Sequence, residues 1–237
     1  MEQPSTPTPL TGAVRELSAH VVSALTGGDH SRLSALPAVT AGDDDLGLAA
    51  VRVVGADVLL PSVLHRLPAA AVDLAVCEKA ALAHPPGPDA SATSRWSHWA
   101  LTRTLRELGG LTGPPPPPPV PPDSTHALDD LPWQALTHQL SLLAALAVPS
   151  ADSAVARVAA RRTVDVARGF ARAVRRRGWL QAAGAGRWLC LAGDVPETLG
   201  LDAGLEFVAL MGGDDPRVAL QLHAARLLRP AAVPEAP

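Results

Sequence analysis

The chain has no tyrosine, two phenylalanines, two cysteines and a single lysine, Lys79, among twenty basic residues. With aromatics at 3% and hydrophobic residues at 47%, its core must be built from Ala, Leu and Val. Such a composition suits closely packed helices and excludes disorder throughout. The shortage of lysine beside an excess of Arg, Ala and Pro reads as GC-rich coding in a bacterial genome rather than as function. Cys77 and Cys190 stand far apart with no CxxC pair, which excludes a structural zinc knuckle and a redox dithiol. Both lie among apolar neighbours and are expected to be inert core thiols.

Catalytic signatures are equally scarce. HExxH, ExxH, the phosphate-binding Walker pattern and GxSxG do not occur. Gly184-Ala185-Gly186 lacks the third glycine of a dinucleotide fingerprint, so it is read as a place where helices approach closely. Glu16 and His20, one helical turn apart, make at best half of a metal site. No metal and no cofactor is expected. The opening MEQPSTPTPL is neither basic nor apolar, so no signal or anchor is expected there. The longest apolar run, Leu46 to Leu60, is interrupted by Arg52 and Asp57 and is too short for a bilayer. The expectation is a soluble, cytoplasmic protein without membrane contact.

What the chain does have is helical periodicity. Leu10, Val14, Leu17, Val21 and Leu25 recur at three- and four-residue spacing until Gly27-Gly28 stops them. A short helix is expected from Asp29, and a longer one from Asp45 to Leu60, ended by Pro61. Within the latter, Val51-Arg52-Val53-Val54 suits a strand as an alternative. Further helices are expected over Pro68–His84, Ser94–Leu108 and Trp133–Val148. A helix of about 25 residues, capped by Ser150 or Asp152, is expected to end near Arg177. Trp179–Ala192, Thr198–Met211 and Pro216–Leu228 complete the set.

Between the fourth and fifth of these longer stretches lies GPPPPPPVPPD, Gly113 to Asp123. Successive prolines lack amide donors and enforce polyproline II, so Pro114 to Pro122 reaches roughly 28 Å at ~3.1 Å per residue. The segment is read as a stiff linker, with a ligand for a proline-recognition domain as the alternative. The fold expected is therefore all-α, a helical bundle or set of helical hairpins. Its parts are an N-terminal lobe (10–110), a linker (111–124) and a C-terminal lobe (125–230) with a basic helix at 152–177. Whether the lobes share a core is left open.

A shift of 37 residues lays the stretch from Arg168 over the stretch from Leu205, Phe170 falling on Phe207 and Ala185 on Leu222. Each copy reads as helix, break, helix, the pattern of stacked hairpins; similarity of composition alone is the other reading. Inside the second copy, Gly212-Gly213-Asp214-Asp215 resembles a metal-holding aspartate pair. Helical periodicity on both sides favours instead a hinge, with Asp214 or Asp215 capping a helix that starts at Pro216. Asp194-x-x-Glu197 resembles a capping box of the same kind.

Charge is distributed unevenly. Residues 1–151 carry eight basic against fourteen acidic residues, and residues 152–237 carry twelve against nine. Between 157 and 177 there are eight arginines and one aspartate, a net of +7. On one straight helix, Arg157, Arg161, Arg168, Arg172 and Arg175 fall within about 60° of one another and span about 27 Å. Like charges so arranged repel, and Asp43-Asp44-Asp45, Asp129-Asp130 or an external polyanion are the candidates to compensate them. A second cluster, in SRWSHWALTRTLREL, sets Trp96, His98, Trp99 and Arg103 close together. With His138 it makes a candidate pocket for a flat ligand, unless the indoles simply anchor their helix in the core.

These features favour a non-catalytic helical interaction or adaptor module whose five stripe arginines hold an acidic protein partner. A nucleic-acid-binding regulator using the same stripe is the first alternative, disfavoured by a net charge of -3. An enzyme or small-molecule binder with a pocket at Trp96, His98, Trp99 and His138 is the second.

Overall fold

The computed structural model describes residues 8–27, 44–110, 128–149 and 152–229. The helix expected at Asp29, the Gly28-Asp29 and Gly42-Asp43 junctions and the proline linker lie outside them. Regular structure among the described residues is entirely helical. In chain order it comprises α1 (Pro9–Gly27), α2 (Asp44–Val54), α3 (Leu60–His65), α4 (Ala71–Ala83) and α5 (Ala92–Glu107). These are followed by α6 (Trp133–Leu142), α7 (Ala154–Arg161), α8 (Thr163–Arg175), α9 (Trp179–Leu191), α10 (Leu201–Gly212) and α11 (Pro216–Leu228). Short 3₁₀ turns follow α2 and α6 and precede α10.

Local chemistry accounts for most boundaries. The α1 residues Val14, Leu17, Val21 and Leu25 are buried on one face, as their spacing requires. Ser91, Ser153 and Asp215 accept first-turn amide protons at the starts of α5, α7 and α11. Asp215 is thus the cap expected at the Gly-Gly-Asp-Asp stretch. Beside it, Gly212 is required by close approach: a Cβ there would stand 2.5 Å from the Trp179 Cβ.

Ser153, not Ser150 or Asp152, caps α7, and three further expectations need correction. The apolar run does not stop at Pro61: α2 passes through a 3₁₀ turn at Gly55–Leu59 into α3, which has Pro61 in its first turn and ends at His65. Pro is tolerated there because a first-turn amide has no intrahelical acceptor. The resulting helical stretch, Asp45–His65, is long and apolar enough to cross a membrane by composition, and 56% of it is buried inside the fold. Second, Asp194-x-x-Glu197 caps no α-helix, since α10 begins at Leu201 behind Gly200 in the left-handed conformation. Third, the long basic helix is broken at Arg162, described below.

Helix α9 is the centre of the C-terminal part: every residue from Ala182 to Cys190 is buried, with α6, α8, α10 and α11 around it. Cβ atoms on Gly184 and Gly186 would lie 2.9 Å from the Ser141 carbonyl and 2.6 Å from Leu205, which is the close approach expected of that small-residue run. The two ends of the chain share core. Ala56, Trp96, Trp99 and Ala100 belong to the same apolar cluster as Leu140, Phe170, Trp188 and Leu222, while Val21 and Leu25 meet Leu220 and Ala224.

One buried ion pair reinforces this junction. Arg187, with 0% of its side chain exposed, donates to both carboxylate oxygens of Asp57 at 2.8 and 2.9 Å. Gln221 accepts from Arg187 at 2.9 Å and donates to Asp57 at 2.8 Å, and the Arg187 Nε donates to the Ala147 carbonyl. These bonds offset much of the cost of taking both charges out of water, while the Arg187 Nη2 is buried without a hydrogen-bond partner. The apolar run around Asp57 is thereby tied to α9 and α11.

Candidate functional site

The basic segment is two helices, not one. At Arg162 the backbone leaves the helical region (φ -110°, ψ 32°), ending α7 and starting α8. The Thr163 hydroxyl donates to the Ala160 carbonyl at 2.8 Å, an alternative partner for a group the helix would otherwise use. The Arg162 guanidinium donates to the Asp129 and Leu131 carbonyls, both at 2.7 Å, and to the Asp165 carboxylate. Arg162 therefore pins the junction to the segment that precedes α6. On the side away from the arginines, Ala159, Val166, Phe170 and Ala173 are all buried.

The arginines divide into two groups. Arg157 pairs with Asp152 at 2.5 Å, Arg161 with Asp129 at 2.7 Å, Arg162 with Asp165 at 2.6 Å and Arg168 with Asp165 at 3.5 Å. Asp129, one of the acidic candidates, does face the arginines, whereas Asp45 lies 3.4 Å from His84 instead. Arg172 sits 5.5 Å over the Trp133 ring. Arg175, Arg176 and Arg177 are exposed and have no acidic partner among the described residues. Their position in and just after the last turn of α8 is electrostatically favoured, because unsatisfied carbonyls make a helix C-terminus negative. Arg177 itself takes the left-handed conformation (φ 58°) while the Gly178 amide closes onto the Ala173 carbonyl at 2.9 Å.

A cleft of about 80 Å³ opens at this end, lined by Trp133, Gln134, Arg172, Arg176 and Gln181 with glycine and alanine backbone between them. Its lining contains two cationic groups, two amides and no acid. Gly169 forms part of the wall, and a Cβ there would fall 2.0 Å from the Thr137 hydroxyl, so α6 and α8 meet at backbone distance. Small-molecule pockets usually measure ~300–1,000 Å³. This cleft has room for one carboxylate-sized group, on a surface whose Arg172 is already oriented by stacking on Trp133.

The second expected cluster is arranged differently. Trp96 and Trp99 are 1% and 8% exposed and pack edge to face at 5.3 Å inside the core. Arg103 lies over Trp99 at 5.3 Å. His98 is half-buried, and burial first and the Arg52 charge second hold its imidazole below the usual histidine range. His138 is exposed on α6. The indoles thus anchor α5, and two of the four residues proposed to line a pocket are core.

Thiol chemistry has poor prospects. Burial, aided by Asp73, pushes the Cys77 thiol up to about 12, and burial against an opposing Arg229 charge leaves Cys190 at about 11. Among the described residues no group of three or more His, Cys, Asp or Glu is placed to hold a metal ion. An apolar notch of about 220 Å³ between Val148, Ala156, Ala159, Trp188 and Leu191 offers packing space without polar side chains.

Of the five stripe arginines, the structure leaves Arg172 and Arg175 without an acidic partner, and it adds Arg176, which an angular criterion on one helix had set aside. The Asp57–Arg187 pair was also missed, although Arg187 is the only charge of Trp179–Leu191 and Asp57 the only acid of Leu46–Leu60. No protein-family model, no curated protein and no solved structure matches the chain.

Proposed function

We propose that the chain is a non-catalytic helical interaction module that holds an acidic protein partner on the arginine-rich face of α7 and α8, with its strongest contact at the C-terminal end of α8. The observation that carries this reading is the division of the eight arginines. The upstream group is neutralised by Asp129, Asp152 and Asp165, while Arg172 lies half-buried over Trp133 and Arg175, Arg176 and Arg177 are exposed, none with a described acid. In this reading one carboxylate of the partner enters the cleft between Arg172 and Arg176, and others meet the exposed guanidinium groups around it.

The rest of the molecule is the scaffold. We read α8–α9 and α10–α11 as two helical hairpins, and the segments 10–110 and 125–230 as two helical lobes joined by the proline linker. The shared core and the buried Asp57–Arg187 pair support their acting as one rigid support. The same reading places the protein in the cytoplasm, where free cysteines such as Cys77 and Cys190 persist.

The test is a fluorescence anisotropy titration with labelled polyglutamate. Saturable binding that weakens steeply with salt, and that Arg172→Ala with Arg176→Ala reduces about tenfold or more, is the expected result. A wild-type chain that binds duplex DNA but not polyglutamate at low salt would transfer the site to a nucleic-acid regulator.

A further inference from the structure

We propose that the ridge formed by Phe207, Leu210 and Met211 on α10 is the seat of an amphipathic helix belonging to the acidic partner. The inference depends on the reading above and adds the partner's shape and its apolar half.

The argument starts from the 37-residue correspondence. It carries the end of α8 (Arg175) onto the end of α10 (Gly212), and both limits of α9 (Trp179, Leu191) onto those of α11 (Pro216, Leu228). Phe170, Ala173 and Val174 of α8 correspond to Phe207, Leu210 and Met211 of α10. On α8 the first two of these positions are buried, Phe170 at 2% and Ala173 at 4% exposure, and Val174 is partly buried against the core. Helix α10 lies so close over Phe170 that a Cβ on Gly204 would be 2.7 Å from its ring. On α10 the same positions are bare, at 46%, 82% and 49% exposure for Phe207, Leu210 and Met211.

A helical hairpin that ends a stack ordinarily turns a polar face to water. Here the uncovered positions carry larger apolar side chains than their covered counterparts, Leu for Ala and Met for Val. Their i, i+3, i+4 spacing makes one continuous strip, the form in which a helix receives the apolar face of another helix. Trp179, edge-on to Phe207 at 6.0 Å, broadens it.

Charge identifies the occupant. Trp179 follows directly on Arg175–Gly178, so the cluster without acidic partners borders the ridge along one edge. The exposed Glu206 and the Arg229-paired Asp202 lie toward the opposite edge of α10. A matching helix therefore carries an apolar stripe, acids on the edge nearest α8, and none on the edge facing Glu206.

The probe is a labelled synthetic peptide with leucine at every third or fourth position and glutamates along one edge, compared with a scramble of equal composition. Wild-type protein is expected to bind the amphipathic peptide about tenfold more tightly than the scramble. Phe207→Ser with Leu210→Ser is expected to erase that preference while leaving scramble affinity and circular dichroism unchanged, with a small drop in Tm from the lost Phe207–Trp179 contact; Leu210→Met is expected to retain it. Equal binding of the two peptides, or a preference that survives the serine variant, overturns the ridge and leaves the acidic-partner reading standing. No binding of either peptide at low salt overturns both. Sedimentation that shows a wild-type dimer dissolved by the serine variant assigns the ridge to a second copy and overturns the partner helix.

Discussion

The first four arginines of the basic segment and the last four are the same side chain in two different situations. Arg157, Arg161, Arg162 and Arg168 each reach an aspartate of their own chain. Arg172, Arg175, Arg176 and Arg177 reach an indole face or solvent. Upstream, arginine serves the fold: Arg162 fixes the break between α7 and α8 by holding two carbonyls and a carboxylate. Downstream, the segment is held by Phe170 and Ala173 beneath it, and its charge meets no acid among the described residues. An arginine-rich stretch is therefore informative about binding only after its internal acids have been located.

The comparison can be pressed from its most severe case to its mildest. Arg187 shows what an arginine inside the core demands of its acid. Asp57→Ala strands that buried charge without its carboxylate, and a loss of about 3–5 kcal/mol in urea unfolding is expected. Asp57→Asn, which keeps hydrogen-bonding capacity, is expected to cost less. Gly169→Ala attacks the downstream group from beneath by driving a methyl into Thr137. About 1–3 kcal/mol of stability should be lost, together with the affinity for polyglutamate as the cleft between α6 and α8 opens.

Asp165→Asn makes the upstream group resemble the downstream one, since a single carboxylate serves Arg162 and Arg168. A cost of about 1 kcal/mol is expected from the loss of that pair at the first turn of α8, with a gain in polyglutamate affinity from the released Arg168. Asp129→Asn acts on a more exposed pair and should change stability by about 0.2–1 kcal/mol.

The mildest perturbation is pH. Arginines do not titrate in the accessible range, but His98 is held below its ordinary pKa by burial and by Arg52. The unfolded chain then binds its proton first as pH falls. The stability contributed by neutral His98 is complete above the unfolded value near ~6.5 and declines below it until the lower folded pKa is reached. Unfolding midpoints between neutral pH and pH ~5 should show this decline in the wild type and a smaller one in His98→Gln.

Much of the fold is legible in the sequence because Ala, Leu and Val recur at helical spacing around few breakers. The limits of α1 and α11 follow from that spacing, with Asp215 as the cap of α11, whereas α5 starts two residues before the expected Ser94 because Ser91 caps it. The break at Arg162 is hidden, since neither Gly nor Pro marks it; it depends on carbonyls of residues 129 and 131, distant in sequence. The continuation of α2 into α3 was misjudged by treating Pro61 as an end when it is a first-turn residue. At the candidate site, sequence reveals the density of arginine but not its allocation. Helical angle alone placed Arg157 and Arg175 on one stripe; Asp129 is among the candidate acids in the sequence, but that it takes Arg161 while Asp152 takes Arg157 becomes visible only when the chain has folded. Trp96 and Trp99, plausible as a ligand platform, are consumed by the core of a protein with very few other aromatics.

The allocation of charge is tested most directly by matched reversals read against one acidic probe. Arg175→Glu with Arg176→Glu, and separately Arg157→Glu with Arg161→Glu, change net charge equally on the same face. The account predicts that the downstream pair lowers polyglutamate affinity at least tenfold more than the upstream pair, at low salt and with both variants folded. Equal losses would show that only overall charge matters, and a larger loss upstream would contradict the assignment of the binding face.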